Sequence, residues 1–276
     1  MTNLENGNQR PLLVFLLARD GDFDLSEIWS VLHRHGGEFD MVLVDHNNGL
    51  TKVPHLFAKA ALKTLKVGKG ASLGKTINSL VAETNNGVYA FLSDRVFPTH
   101  DHWLKRLCEP IFSGKAEASF GREVPAPGGN YFLNNNLEKL FPASGDGDVS
   151  GFSIDNCAVT RDFLLKKPFP ENALFDPAGS WAASSKPSVA YSPEALVLRH
   201  TLLSLKEIYW RARAKGEDAS AFGERPSIIA DVRRFFTGVV GDVFFALSIK
   251  RPQYVWYPFL YKFALHFGYY LGTRKK

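Results

Sequence analysis

The sequence predicts an α/β protein: a mostly parallel sheet flanked by helices, followed by a C-terminal helical extension that is aromatic and basic. Three observations carry this. Apolar runs of strand length alternate with segments of helical spacing from Leu12 to Asp94. Asp20, Asp45 and Asp94 each fall at the end of such a run, the position where open parallel sheets bind ligands. Charge and aromatics divide unevenly along the chain: residues 199–276 hold 14 Lys/Arg against 6 Asp/Glu, while the preceding 198 hold 19 against 22. Of the 36 aromatic residues, 13 lie between Phe235 and Tyr270.

Leu12–Ala18 is a continuous apolar run, as expected of a strand buried on both faces. Asp24-Leu-Ser-Glu27 then offers an N-cap with Glu three residues later, so a helix follows. Leu25, Ile28, Trp29 and Leu32 supply its apolar stripe, and His33-Arg34-His35 before Gly36-Gly37 its basic last turn and C-cap. Phe39–Val44 is the next strand. Ala61–Val67 is a third, whose lysines mark it as an edge. Gly74 to Thr84 reads as helix, stopped by Asn85-Asn86-Gly87, and Val88–Leu92 as another buried strand. Beyond Phe120, Gly121–Gly129 and Gly145–Asp148 read as loops over a site. Strand character returns at Ser188–Leu198, and Ser204-Leu-Lys-Glu207 is a capping box for a helix carrying Tyr209 and Trp210.

Composition excludes several classes. With 45% hydrophobic and 22% charged residues in 276, the chain buries a sizeable core, so disorder and collagen are ruled out. Cys108 and Cys157 form no CxxC pair, which points away from zinc or a disulfide framework and toward a reducing, cytoplasmic compartment. The polar start through Arg10 shows no signal-peptide pattern. The basic tail contains no recognisable recognition helix, so no nucleic-acid partner is expected.

Gly68-Lys-Gly-Ala-Ser-Leu-Gly74-Lys75-Thr76 looks like a phosphate-binding loop, yet the spacing fails by one: Lys69 stands where the first glycine is required. Lys75 and Thr76 at a helix start meet a phosphate through the helix dipole or simply cap the helix.

The order of motifs is more informative than any one of them. A strand ending in Arg19-Asp20, one ending in Val44-Asp45, then Gly74-Lys-Thr-Ile-Asn78, Phe91-Leu-Ser-Asp94-Arg95, His102-Trp103-Leu104 and Phe120-Gly-Arg-Glu-Val-Pro125 resemble the family 2 glycosyltransferases of the GT-A fold. Phe152-Ser-Ile-Asp-Asn156, Tyr191-Ser-Pro-Glu-Ala195, His200 and Tyr269-Tyr-Leu-Gly272 continue the likeness, which is nearest to the rhamnosyltransferase-like branch. The resemblance implies a flexible N-terminus over residues 1–10, a nucleotide-sugar domain over 11–200 and a helical extension over 201–276. It implies transfer of a sugar from a nucleotide-diphosphate donor to a glycan or lipid-linked surface-polysaccharide acceptor.

By the same resemblance Asp45 holds the donor's base, flanked by Arg19 and Asp20, and Lys75, Asn78, Asp94 and Arg95 contact the donor. Asp94 and His200 would ligate a manganese or magnesium ion, and Asp176 would serve as the catalytic base. The chain departs from the family in three places. Ile77 replaces a basic residue, Arg95 stands where a metal-binding carboxylate is expected, and the acidic pair ahead of Trp181 has become Pro177-Ala178. These departures predict weak or absent metal binding. They also keep open a second reading, a catalytically impaired relative that binds glycan or a partner protein. In the tail, Phe259, Phe263, His266, Phe267 and Tyr270 share one helical face, with Lys262 and Arg274-Lys-Lys276 available to anionic headgroups. That pattern predicts a peripheral position at the inner face of the cytoplasmic membrane, or packing of the same face on protein.

Overall fold

The computed structural model describes residues 12–18, 25–34, 39–45, 62–67, 71–145, 147, 149–173, 176–201, 203–221 and 227–274. Arg19, Asp20, the Asp24 cap, Gly68 to Gly70 and Lys275-Lys276 lie outside the described residues.

Eight strands form one sheet: β1 Leu12–Ala18, β2 Phe39–Asp45, β3 Leu62–Lys66, β4 Val88–Ser93, β5 Val96–Pro98, β6 Ala118–Pro125, β7 Asn156–Thr160 and β8 Val189–Arg199, in the spatial order β3-β2-β1-β4-β7-β6-β8-β5. The first four strands in that order are mutually parallel. Beyond them β7 runs antiparallel to β4 and to β6, β8 runs parallel to β6, and β5 closes the far edge antiparallel to β8. The lysine-bearing run is an edge strand, as its composition predicts.

The unbroken apolar character of β1 follows from its two covered faces. Leu13, Phe15 and Leu17 join one core cluster with Leu73 and Ile77 of helix α2 (Leu73–Glu83). Val14, Leu16 and Ala18 join a second with Leu25 and Ile28 of α1 (Leu25–Arg34) and Leu104 of α3 (Trp103–Phe112). Alternate residues of a strand point to opposite faces, so a strand between two helical layers must be apolar throughout. Each such fully buried side chain contributes about 1.5–3 kcal/mol.

One expectation is corrected here. Gly121 to Pro125 is strand, and a turn then leads into α4 (Tyr131–Leu140), whose Asn130 cap accepts from the backbone N–H groups of Phe132 and Leu133. Gly121 resembles a breaker because it sits at a bulge: the β6–β8 register shifts between Gly121 and Glu123. A side chain at 121 would lie 2.2 Å from the Ala195 carbonyl oxygen. Close backbone approach, not a turn, accounts for this glycine.

After β7 come α5 (Arg161–Lys166) and α6 (Pro177–Ser185), and after β8 three longer helices: α7 (Leu205–Ala221), α8 (Ile228–Ser248) and α9 (Tyr257–Thr273). The capping box at the start of α7 is formed reciprocally: Glu207 N–H donates to Ser204 Oγ at 3.2 Å, and Ser204 N–H donates to Glu207 Oε2 at 2.7 Å. The most extensive helix contact joins α7 to α9. Tyr261 and Ala264 of α9 share a third apolar cluster with Phe132 of α4 and Ile208 of α7. Asn130 and Asn136 donate to the Tyr257 and Tyr261 hydroxyls at 2.6 and 2.5 Å, tying α9 to α4.

Candidate active site

The C-terminal ends of β4, β6 and β8 lie on one edge of the sheet, beside the start of β7, because β7 runs the opposite way. β5 turns back after β4 and pairs with the end of β8, so the His200 N–H donates to the Arg95 carbonyl at 3.2 Å. A cavity of about 240 Å³ opens at this edge. Arg95, Glu123, Ser153, Asp155, Asp176 and Arg199 line its sheet side with His200, and Ile208, Arg211, Ala212 and Lys215 of α7 line the other, joined by Leu265 of α9. The helices after residue 200 thus form part of the cavity wall.

Arg199 is the electrostatic centre. Its Nε donates to Glu123 Oε2, and its Nη2 donates to Asp155 Oδ2 at 2.8 Å. Glu123 and Asp155 are 2% and 4% exposed. Two carboxylates so deeply placed are tolerated because one planar guanidinium reaches both. The bulge after Gly121 lets a strand residue such as Glu123 meet this group.

Asp176 lies on the cavity wall in a structural arrangement. It is the N-cap of α6, and its Oδ1 accepts from the backbone N–H groups of Ile154 (3.1 Å) and Ala178 (3.3 Å). Its Oδ2 stands 3.9 Å from Lys215 Nζ, and its own N–H donates to Asp218. Pro177 occupies the first helical position, where a missing N–H costs nothing.

Of the residues expected to form the site, the structure brings Arg95, Asp176 and His200 into this cavity. Asp94 is buried in the turn between β4 and β5, and its N–H donates to Leu17 O. Asp45 is the last residue of β2, two strands away on the same sheet edge, and is 1% exposed. Lys75 is exposed in the first turn of α2, where its N–H donates to Ser72 Oγ, so Ser72 caps this helix, and not Lys75 or Thr76 as expected. Asn78 is occupied elsewhere: its Nδ2 donates to Phe169 O at 2.7 Å, and its Oδ1 accepts from Phe169 N–H at 3.0 Å. Sequence reasoning missed Glu123, Arg199, Arg211 and Lys215. The last two had a signal, since they stand four apart on α7 and therefore share a face.

The cavity's donor set does not fit a divalent cation. Glu123 and Asp155 are bound to Arg199, Asp176 caps a helix beside Lys215, and Arg95 and Arg211 add positive charge to the wall. Hard cations require several oxygen ligands free to turn toward them. Among the described residues no group of three or more His, Cys, Asp or Glu is arranged to hold a metal.

A parallel half-sheet continued by antiparallel strands, with a cavity at the strands' C-terminal edge that charged side chains share with leucines of α4, is the fold of GT-A-type glycosyltransferases. The chain is similar to the mannosyltransferase PcManGT from Pyrobaculum calidifontis, solved with GDP-Man and Mn2+, at a TM-score of 0.59 and 9% identity, covering 95% of this chain and 87% of that one. It is also similar to residues 1-349 of S. aureus TarS in complex with UDP (TM-score 0.54, 12% identity, covering 92% and 90%). Glucosyl-3-phosphoglycerate synthase from Mycobacterium tuberculosis, solved with Mn2+, UDP-glucose and phosphoglyceric acid, gives a TM-score of 0.55 at 14% identity, covering 79% and 81%. At these identities the likeness establishes the fold. No protein-family model matches the chain, and no curated protein matches it by sequence.

Proposed function

We propose that the protein is a glycosyltransferase that moves a sugar from a nucleotide-diphosphate donor to a glycan or lipid-linked acceptor at the inner face of the cytoplasmic membrane. The observation that carries this reading is the charged cavity at the C-terminal edge of a GT-A sheet, where Arg95, Arg199, Arg211, Lys215 and His200 converge. The solved structures supporting the donor class are complexes with UDP, UDP-glucose or GDP-Man. Sugar transfer leaves negative charge on the departing diphosphate, and fixed cations in a water-poor cavity stabilise such charge. In this reading Arg95, Arg211 and Lys215 do that work, and Asp45 accepts a hydrogen bond from the base.

A second reading rests on one specific observation: each carboxylate lining the cavity is already engaged, Glu123 and Asp155 by Arg199 and Asp176 by two backbone N–H groups. An acceptor hydroxyl must give its proton to a base within hydrogen-bond reach, a part that the family resemblance assigns to a carboxylate. A chain that binds the donor without transferring the sugar fits this geometry, with the fold serving as a binding scaffold.

Calorimetric titration with a panel of nucleotide-diphosphate sugars, with and without manganese or magnesium, tests the donor assignment. Binding that is largely indifferent to metal is expected, and Asp45→Ala is expected to weaken it by about 1.5–3 kcal/mol, the worth of a hydrogen bond to a charged group. No binding of any donor sinks the transferase and leaves the scaffold only as a glycan or partner binder; binding without turnover on glycan and lipid-linked acceptors selects a donor-binding scaffold.

A further inference from the structure

The packing of the last two helices leaves a surface that the sugar site does not explain. On α8, Ile229, Phe236 and Phe244 are 82%, 57% and 68% exposed; on and just before α9, Trp256, Leu260 and Phe263 are 77%, 57% and 57% exposed. Isolated exposed apolar residues are ordinary, but a continuous apolar face built from two neighbouring helices marks a binding surface. Between them runs an apolar groove of about 270 Å³ lined mainly by Val232, Phe235 and Phe236 of α8 and Phe263 and Phe267 of α9, with Asp231 and His266 on its wall.

The charges around this face are sorted by sign. Asp231 and Asp242, the acidic residues of 227–274, are 8% and 2% exposed. Lys262, expected at the headgroups, is instead buried and paired with Asp242 at 3.1 Å, and Asp231 pairs with Arg234 at 3.6 Å. Arg233, Arg234, Lys250, Arg251 and Arg274 are exposed. Every outward-facing formal charge on the described part of this segment is therefore positive.

We infer that the exposed faces of α8 and α9 dock on an anionic lipid leaflet, with the aromatic ridge immersed among the acyl chains and the arginines and lysine at headgroup level. This deepens the membrane-facing part of the proposed function and rests on that reading only for its purpose, since the docking residues lie outside the sugar site. Charge decides between lipid and a second copy of the chain. A two-fold contact brings a patch against itself, so self-association through this face would bring its exposed cations together, while Asp231 and Asp242 are already paired with Arg234 and Lys262. An anionic leaflet supplies the complementary charge. Among the described residues no helix is long and apolar enough to cross a membrane, so the helices lie on the leaflet.

The placement has a geometric corollary. Leu265 of α9 lines the sugar cavity, while Phe263 and Phe267, two residues to either side, line the apolar groove. Two residues along a helix turn about 200°, so these side chains leave opposite sides of α9. Docking then holds the cavity about one helix diameter, roughly 10–12 Å, from the lipid.

Flotation of the full chain with vesicles of phosphatidylcholine alone, and of phosphatidylcholine mixed with phosphatidylglycerol, tests the inference without any nucleotide sugar. Retention is expected on the anionic vesicles only, falling at least tenfold when salt is raised. Phe244→Ser/Phe263→Ser, exposed positions whose loss leaves the core intact, is expected to abolish retention with unchanged circular dichroism. Acyl-brominated lipid is expected to quench a fluorescence component that Trp256→Phe removes. The inference is overturned if the chain stays unbound on anionic vesicles at low salt, or if the serine variant is retained as the parent is. It is also overturned if the chain sediments as a dimer that the serine variant converts to monomer.

Discussion

Arg199 binds two carboxylates that are almost fully withdrawn from water. Removing one partner of such a group strands the others, so Arg199→Met is expected to cost about 3–5 kcal/mol, read as a lowered urea midpoint at unchanged slope. His266 titrates in the opposite sense from most paired residues. Burial and the Lys262 ammonium hold it below its ordinary value of 6.5, with Asp231 opposing and Arg234 adding to the effect. The unfolded chain therefore takes up the proton more readily than the folded one. This contribution is whole above pH 6.5 and is lost as pH falls through the folded value. His266→Gln is expected to flatten that part of a melting-temperature profile between neutral and mildly acid pH. At this scale the sequence singled out Arg95, Asp176 and His200, which line one cavity. It gave no sign of the Glu123–Arg199–Asp155 group, since a lone charge in a strand looks the same whether it faces water or a partner.

The pair α7 and α9 meets backbone to backbone. A side chain added at Gly216 would lie 2.2 Å from Tyr269 O, and one at Gly272 would lie 2.1 Å from Arg213 O. Gly272→Ala must push the helices apart, and overpacking of this kind costs about 1–3 kcal/mol. The expected result is a lower melting temperature and, because Ile208, Ala212 and Leu265 line the cavity, weaker donor binding. Differential scanning calorimetry and titration of the same variant check both. Elements with a clean period were legible in the sequence: β1, β2, β4, α1 and the capped start of α7 match their expected places within a residue or two. The β6–α4 region was not, because Gly121 and Pro125 carry the same letters in a bulged strand as in a loop. Only the approach of Ala195, far along the chain, distinguishes the two.

For the molecule as a whole, the order of motifs disclosed the GT-A architecture, while the contents of the site depended on where β5 and α7 fold back. Strand-end aspartates follow from local pattern; the meeting of residues 95, 199 and 211 does not, because no periodicity links them. The Arg199 group also has a bearing on how the chain assembles. Its three members belong to β6, to the residue just ahead of β7 and to the end of β8, and they are separated by 44 and 76 positions. None can leave water at low cost before the others arrive, and pairings this distant carry the loop-closure entropy that slows folding. The group should therefore close after the rate-limiting step. Arg199→Met is expected to accelerate unfolding by most of its equilibrium effect while leaving the refolding rate nearly unchanged, which stopped-flow urea chevrons resolve. A refolding arm slowed in proportion to the lost stability would place the group in the nucleus instead. With late closure, the Arg199 side of the cavity is the last part of the sheet to be sealed and the first to open, so the lifetime of the native state is set at the same edge that holds the site.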